Sequence, residues 1–558
     1  MRFYRCPGVI LLLVINHLLK NMKNRFFFVL LFIIFLSSVL GGVFGDKVKS
    51  VSASYDSKNL ILRFTEVLAL IQSQNVREVD SKKLVENAIQ GLLRTLDPHS
   101  SFFATPDYSR LQEEQRGKYF GLGITIRPES PGSGRVLVVE PPVPGTPAYK
   151  SGIKAGDVIS EISGESIEDW DINEEVIPNL KGPKGTTVEV TVERAGETEP
   201  LQFIIERDEI PLFSIKYAFH IQPKIGYIRI DKFSETTSSE LDKALERLQK
   251  DSMEFLVLDL RGNPGGALKA AIEVCDRFLK RGQLVVTTRS RDKSENRFFR
   301  TTRDNQKSYP MIVLIDQNSA SASEIVAGAL QDHNRALIVG VTSFGKALVQ
   351  TIYPMDGGRR GLALTTGKYY TPNNRLIQRD YSDGFYNYFY NRRQAVMSHE
   401  DSKEGKIKGG IQPDEIVDQK TSSPFLRHIS RRDLFYLFTK EIWAGKTENK
   451  IPFEQVPDNY KNLPLVEKKA LLQESQVTPK IIEEFRAFLR EQGLKFKDID
   501  FNSDMKIISN HVQQKIYLKL FGDQEQYRVS LEIDHQVQRA LKLLPQAANL
   551  VSKSMVSN

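Results

Sequence analysis

Two stretches of this chain pass from a short apolar run through a turn of small residues into a helical pattern, and that repeat restricts the fold more than any other feature. Phe255-Leu-Val-Leu-Asp-Leu260 leads into Arg261-Gly-Asn-Pro-Gly-Gly266 and then a helical segment from Ala267 to Leu279. Met311-Ile-Val-Leu-Ile315 leads through Asn318-Ser-Ala-Ser-Ala-Ser-Glu324 into a helix over Ser323 to Leu330. Apolar runs of this length, rich in β-branched residues, read as buried strands, and the repeated unit predicts an α/β layer architecture.

Ser321 falls at the second turn. There the free N–H groups of the first helical turn, that of Ala322 in particular, can face an oxyanion, and the helix dipole favours negative charge. A serine becomes a nucleophile only when a nearby base takes its proton, and a lysine is such a base once burial lowers its pKa. Lys346 follows in Ser343-Phe-Gly-Lys346-Ala-Leu-Val-Gln350. The pair predicts acyl transfer at a peptide bond. Ser321 and Glu324 also form an ordinary Ser-x-x-Glu capping box, and the local sequence alone favours that structural meaning.

Three separated motifs tip the balance: Val257-Leu-Asp-Leu-Arg-Gly-Asn-Pro-Gly-Gly266, Ser319-Ala-Ser-Ala-Ser-Glu-Ile325, and Phe344-Gly-Lys346 with Gln350 four residues on. In this order the chain resembles the carboxyl-terminal processing (tail-specific) proteases. The resemblance runs from about residue 55 to 418 and takes in Leu96-Asp-Pro-His-Ser100, the segment from Gly361 to Pro372, and Gly410-Ile-Gln-Pro-Asp414. It implies Ser321 as nucleophile, Lys346 as general base, and Gln350, one helical turn beyond, as the group that orients the lysine. It also makes the glycine loop the second oxyanion donor, assigned to Gly265 rather than Gly266, beside Ala322. Asn318 stands where the family usually has Gly, Ala347 and Leu348 replace a usual Gly-Ser, and a Tyr-rich insertion occupies about 381 to 408. Asp259 and Arg261 are expected to be structural.

Other chemistries fit less well. The Gly-x-x-Gly-Gly loop matches neither the dinucleotide fingerprint nor the phosphate loop. A Ser/His/Asp triad drawing on Asp332-His333 fails because twelve helical residues put His333 about 18 Å from Ser321; His333 is expected as a helix-end cation. None of the eight histidines has metal-ligand spacing to a second His or Cys, so no metal and no cofactor is expected.

Residues 116 to 208 read as a β-rich module with strands at Val136-Leu-Val-Val139, Asp157-Val-Ile-Ser-Glu-Ile162 and Thr187-Val-Glu-Val-Thr-Val-Glu193. Together with Phe120-Gly-Leu-Gly-Ile124 and Ser151-Gly-Ile-Lys-Ala-Gly-Asp157 they resemble a PDZ domain. That implies a loop of Gly121, Leu122, Gly123 and Ile124 whose N–H groups take the free C-terminus of a protein substrate, while the substrate adds a strand to the sheet edge. The plainer meaning is that Gly121 and Gly123 punctuate a turn.

At 558 residues the chain is expected to be multidomain. The reading is a signal peptide or membrane anchor over 1 to 45, with Met22 an alternative start, a helical N-terminal domain over 54 to 115, the PDZ module over 116 to 208, an α/β serine peptidase core over 209 to 418, and a helical C-terminal domain over 419 to 558. The apolar core Phe26 to Leu36 behind Lys23 and Arg25 predicts export to the periplasm or cell envelope, with membrane contact only through this leader. Of the net charge of +8, residues 1 to 45 hold +5 (Arg2, Arg5, Lys20, Lys23, Arg25, no acid), and the remaining +3 gives no reason to expect nucleic acid. Cys6 and Cys275 allow no intrachain disulfide framework. Apolar positions at Phe64, Val67, Leu68 and Ile71 form either an internal core or a homodimer seam, and the charged tail either a packed appendage or a dimerisation or docking domain. The function predicted is a serine endopeptidase that recognises C-termini of exported proteins; the alternative is a catalytically silent PDZ scaffold.

Overall fold

The computed structural model describes residues 55–130, 133–304, 309–382, 384–390, 409–447, 460, 463 and 465–556. The leader and residues 391–408 of the insertion lie outside them. The chain divides into two units, residues 1–85 and 86–558. The first is described by the helix Tyr55–Gln74 and the start of the helix Ser81–Arg94. Leu60 and Leu70 on the long helix are 60% and 61% exposed, so it presents uncovered apolar side chains.

In the second unit a six-stranded sheet runs in the order Tyr217–Gln222, Ile225–Arg229, Phe255–Asp259, Met311–Ile315, Leu337–Gly340, Glu415–Ile416. Its first pair is antiparallel and the rest parallel. The inner strands Phe255–Asp259, Met311–Ile315 and Leu337–Gly340 are nearly continuous apolar runs because both faces are covered. Met311, Val313 and Ile315 point into one cluster, with Leu241, Ala271 and Val326 from the helices Thr237–Lys250, Leu268–Cys275 and Ala322–Asp332. Ile312 and Leu314 point the other way, onto Val537, Ala540, Leu543 and Leu544 of the helix His535–Val556. The tail therefore supplies the second layer of the central sheet. Its earlier helices build their own core around Phe438, Phe485, Phe501 and Ile516, and the helix Pro479–Glu491 buries Ile481, Ile482, Phe485, Phe488 and Leu489 as one stripe.

A second, antiparallel sheet orders Ser101–Phe103, Arg360–Tyr370, Leu284–Ser290 and Arg297–Arg300, with Leu348–Met355 also paired to Arg360–Tyr370. Two expectations change here. The segment 54 to 115 is not wholly helical, since Ser101–Phe103 pairs with Gly361 to Ala363. Gln350 stands on a strand, not one helical turn past Lys346: the β-branched and aromatic residues of Val349-Gln-Thr-Ile-Tyr353 suit a pleated ladder, and cross-strand pairing overrides the four-residue spacing.

Between the sheets' segments lies a β module of Ile126–Pro128, Val136–Val138, Val158–Ile162, Thr187–Glu193 and Leu201–Glu206, in that order and antiparallel. Val188, Val190 and Val192 alternate into its core against Val136, Val138, Ile159 and Ile162. Lys118–Gly121 pairs with Asp208–Pro211, so the chain enters and leaves the module side by side.

Leu543 is 1% exposed in the layer beneath the central sheet. Leu543→Ala should lower unfolding free energy by roughly 2–5 kcal/mol, whereas Lys542→Ala on the exposed side of the same helix should stay within about 0.5 kcal/mol. Denaturant unfolding of both variants checks this; equal small losses would mean that the helix does not cover the sheet.

Candidate active site

The turn between Met311–Ile315 and Ala322–Asp332 is stitched to the glycine loop by its own small residues. Asp316 Oδ1 accepts the N–H groups of Asn318 (2.9 Å), Ser319 (3.0 Å) and Gly262 (2.9 Å). Ser319 Oγ donates to the Leu260 carbonyl at 2.8 Å, and Ser323 Oγ to the Asn263 carbonyl at 3.0 Å. Two of the three serines are thus buried and committed to backbone. Ser321 differs: its hydroxyl makes no capping hydrogen bond, and its backbone sits at φ 55°, ψ −111°. For a residue with a Cβ that region costs on the order of 1–3 kcal/mol and persists only where the surroundings impose it.

Glu324 imposes it. Its buried carboxylate accepts Ser321 N–H at 2.8 Å and Lys346 N–H at 2.9 Å on Oε2, and Gly345 N–H and Ser343 Oγ at 2.6 Å each on Oε1. Burial pushes this carboxyl up to about 7 while the four donors pull it down. The expected capping glutamate is therefore the fastener between the Ser321 turn and the Lys346 segment. Tyr369 adds a second one, its hydroxyl facing the carbonyls of Lys346 (2.6 Å) and Ser321 (3.1 Å).

Burial lowers the pKa of Lys346, with the charges of Glu324 and Asp97 acting against it. His99 lies close enough to feel that lysine: burial first, then the Lys346 charge, depresses its imidazole to about 3, so the ring is neutral. Its Nε2 pairs with the Tyr388 hydroxyl at 2.9 Å. Asp97 fixes the segment, its Oδ1 accepting the N–H groups of His99 and Ser100 at 2.8 Å. Phe344 stacks edge-on to Tyr388 with ring centres 5.7 Å apart and lies 4.7 Å beneath the Arg379 guanidinium. The Tyr-rich insertion thus contributes a helix, Gly384–Tyr390, to the aromatic wall beside the lysine.

Gly265 comes as close to Ser321 as expected. A Cβ there would lie 2.8 Å from Ser321 Cβ and 3.0 Å from Ala322 N, at φ 103°, so only glycine permits the approach. Its N–H, however, donates to Asn263 Oδ1 at 2.8 Å, so the expected oxyanion donor is already engaged. Gln350 donates to Thr365 Oγ1 at 3.3 Å, and among the described residues no hydrogen bond joins it to Lys346. His333 caps the helix Ala322–Asp332, with Nε2 facing the Leu284 carbonyl at 2.7 Å and Nδ1 the Gln283 amide at 3.3 Å. Sequence reasoning left Glu324, His99 and Tyr369 without a part in the site. Asp97-Pro-His99 and the Ser-x-x-Glu pattern were the available signals.

In the β module, Gly121 closes the strand Lys118–Gly121, and residues 122–125 run as a loop into the edge strand Ile126–Pro128. Leu122 is buried in the module's core and its carbonyl accepts Ala148 N–H at 3.0 Å. Gly123 has φ 83°, and a Cβ there would fall 2.5 Å from that of Thr146. Ile124 packs against the same core. Side chains thus turn inward along this loop, next to an open sheet edge.

Three family models match the chain: Peptidase family S41 over residues 224–383, PDZ domain over 111–193, and Activating protease CtpB N-terminal domain over 45–105. A carboxy-terminal-processing protease of Bartonella bacilliformis is 42% identical over 322 residues, which is 57% of this chain and 72% of that protein. Carboxy-terminal processing proteases CtpB and CtpA of Bacillus subtilis are 38% and 31% identical, over 56% and 65% of this chain and 64% and 76% of their own lengths. A multidomain α/β chain with a PDZ domain, helical flanking regions and these relatives is a serine-type peptidase, and it belongs to the carboxy-terminal processing protease family.

Proposed function

We propose that the chain cuts exported proteins near their C-termini, with Ser321 as nucleophile and Lys346 as general base. The observation that carries this is a desolvated lysine whose segment is pinned, through one buried carboxylate, to the one serine of the run with no capping or backbone duty for its hydroxyl. Neutral Lys346 takes the proton as Ser321 Oγ attacks the scissile carbonyl. The developing oxyanion faces Ala322 N–H, which the helix dipole assists, and Gly265 N–H once that group leaves Asn263. Lys346 then gives the proton to the leaving amine, and water repeats the sequence on the acyl-enzyme. Gln350 orients the lysine only by exchanging its Thr365 partner for the amine.

Selection of substrates is assigned to the Gly121–Ile124 loop, where the terminal carboxylate meets the N–H groups of Leu122, Gly123 and Ile124 and the peptide extends the edge at Ile126–Pro128. The leader sequence supports export to the envelope, with membrane contact only there. The uncovered apolar side chains of Tyr55–Gln74 support a homodimer.

Ser321→Ala and Lys346→Ala should each abolish hydrolysis of a reporter peptide, because nucleophile and base act as one unit. Ser319→Ala and Ser323→Ala should keep catalysis while losing stability, since each removes a buried hydrogen bond worth about 1 kcal/mol. Activity surviving in Ser321→Ala would sink the assignment.

The pH profile follows from the sign of the lysine shift. With its pKa below the ordinary lysine value, Lys346 is protonated and idle at low pH, so kcat/KM should climb through the depressed pKa and then level off. Lys346→Arg, which cannot deprotonate, should be inactive throughout. A rate falling from mildly acid to alkaline pH contradicts the mechanism.

Amidating a substrate's C-terminus removes its charge and leaves the scissile bond alone. Cleavage of a long substrate should weaken by on the order of 1.5–3 kcal/mol in kcat/KM, the worth of one hydrogen bond to a charged group. Gly123→Leu should match that loss and make the enzyme indifferent to amidation. Equal cleavage of free-acid and amidated substrates by the unaltered chain would remove the loop from the mechanism.

A further inference from the structure

Two residues beyond the strand Phe255–Asp259 stands a buried arginine, Arg261, directly before the loop Gly262–Gly266. Arg261 is 5% exposed. Its Nη2 and Nε are taken by Asp259 at 2.6 Å and 3.0 Å. Its Nη1 turns the other way and reaches the tail, meeting Asp534 Oδ2 at 2.8 Å, Oδ1 at 3.0 Å, and Gln536 Oε1 at 2.9 Å. Asp534 Oδ1 at the same time accepts the N–H groups of Gln536 (3.0 Å) and Val537 (3.1 Å), which anchors the carboxylate to the helix beneath the sheet.

A second tail residue reaches Arg261 indirectly, through Arg229. Tyr527 stacks on Tyr217 with ring centres 3.9 Å apart. Its hydroxyl meets Arg229 Nη1 at 3.0 Å and the Tyr227 hydroxyl at 2.9 Å. Arg229 Nη2 in turn donates to the Arg261 carbonyl at 3.1 Å, and Tyr227 donates to Asp259 Oδ2 at 2.6 Å. Arg261 is thus held at its guanidinium by Asp534 and at its carbonyl through Arg229 and Tyr527, tail residues 273 and 266 positions later in the chain. One residue further on, Gly262 begins the loop whose Gly265 touches Ser321.

We propose that Asp534 and Tyr527 of the tail are positioning residues for peptide hydrolysis, setting the Gly262–Gly266 loop against Ser321 by holding Arg261 and Arg229. The inference rests on the assignment of Ser321 and of the glycine loop made above. Arg261 has no other carboxylate than Asp259 and Asp534 among its ion pairs in the described residues. Without Asp534 one end of a buried guanidinium loses its only carboxylate and keeps the neutral Gln536 Oε1, and the arginine shifts toward Asp259 or toward water, carrying the loop's first residues with it. A donor displaced from the oxyanion costs rate while leaving distant substrate contacts intact. The role is therefore one of turnover rather than of substrate affinity.

The test uses the full chain and a reporter peptide with a free C-terminus, together with the rate at which a fluorophosphonate labels Ser321. Asp534→Asn and Tyr527→Phe should each lower kcat and the labelling rate, by about tenfold for Asp534→Asn, less than the 10²–10³ lost when an oxyanion donor is deleted outright. KM should stay within about twofold, since binding far from the reacting carbonyl is untouched. Asp534→Glu should recover most of the loss, and Asp534→Asn should add little in an Arg261→Lys background because the two act through one contact. Unchanged kcat in both single variants, with Ser321→Ala inactive, overturns the proposal and leaves the catalytic centre standing. An active Ser321→Ala overturns the centre itself. If Asp534→Asn fails to fold, Tyr527→Phe, which keeps the ring stack and removes one hydroxyl, decides alone.

Discussion

One buried carboxylate holds the reactive part of this molecule together. Glu324 gathers a donor from the serine turn and three from the segment 343–346, and a carboxylate with four donors has no acceptor capacity to spare. Each donor offsets part of the desolvation that a buried acid suffers. The strained backbone of Ser321 and the approach of Lys346 are consequences of the same group. Residues 324 and 346 are thus a single mechanical unit, although in the sequence one reads as a helix cap and the other as a base twenty-two residues away.

The two places to which the proposal assigns negative charge are built alike. At Gly265 and again at Gly123 a Cβ would collide with a neighbour, with Ser321 Cβ in one case and Thr146 Cβ in the other. Removing the side chain lets backbone approach backbone and side chain more closely than any other residue allows, which is what the proposed oxyanion and carboxylate sites require. Around both, apolar strands supply rigidity: the central sheet with its two covered faces, and the module with Val188, Val190 and Val192 turned inward.

How much of this was legible depends on how local the cause was. Ser321, Ala322 and the glycine loop could be placed because strand, turn and helix follow one another within a dozen residues. Glu324 was visible but carried an innocuous meaning, since the Ser-x-x-Glu pattern does not reveal that three donors arrive from residues 343 to 346. Gln350 was misplaced because a spacing of four fits a helical turn, and only the pairing with Arg360–Tyr370 makes it a strand. Ser101–Phe103 is too short for any periodicity to announce. The helix His535–Val556 shows its apolar stripe plainly in the sequence. Nothing in a stripe says which surface it faces, and here that surface lies two hundred residues or more upstream.

That last distance has a consequence for the order in which the molecule comes into being. Chains are made from the N-terminus and domains fold as they emerge, yet the strands Phe255–Asp259 and Met311–Ile315 keep one face bare until His535–Val556 arrives. Contacts so remote in sequence form late, because the intervening loop must close first. The nascent protein therefore carries its serine and its lysine for the whole interval in which its central sheet is half clothed. The last helix is thus the piece whose arrival completes the layer under the strand that leads into the Ser321 turn.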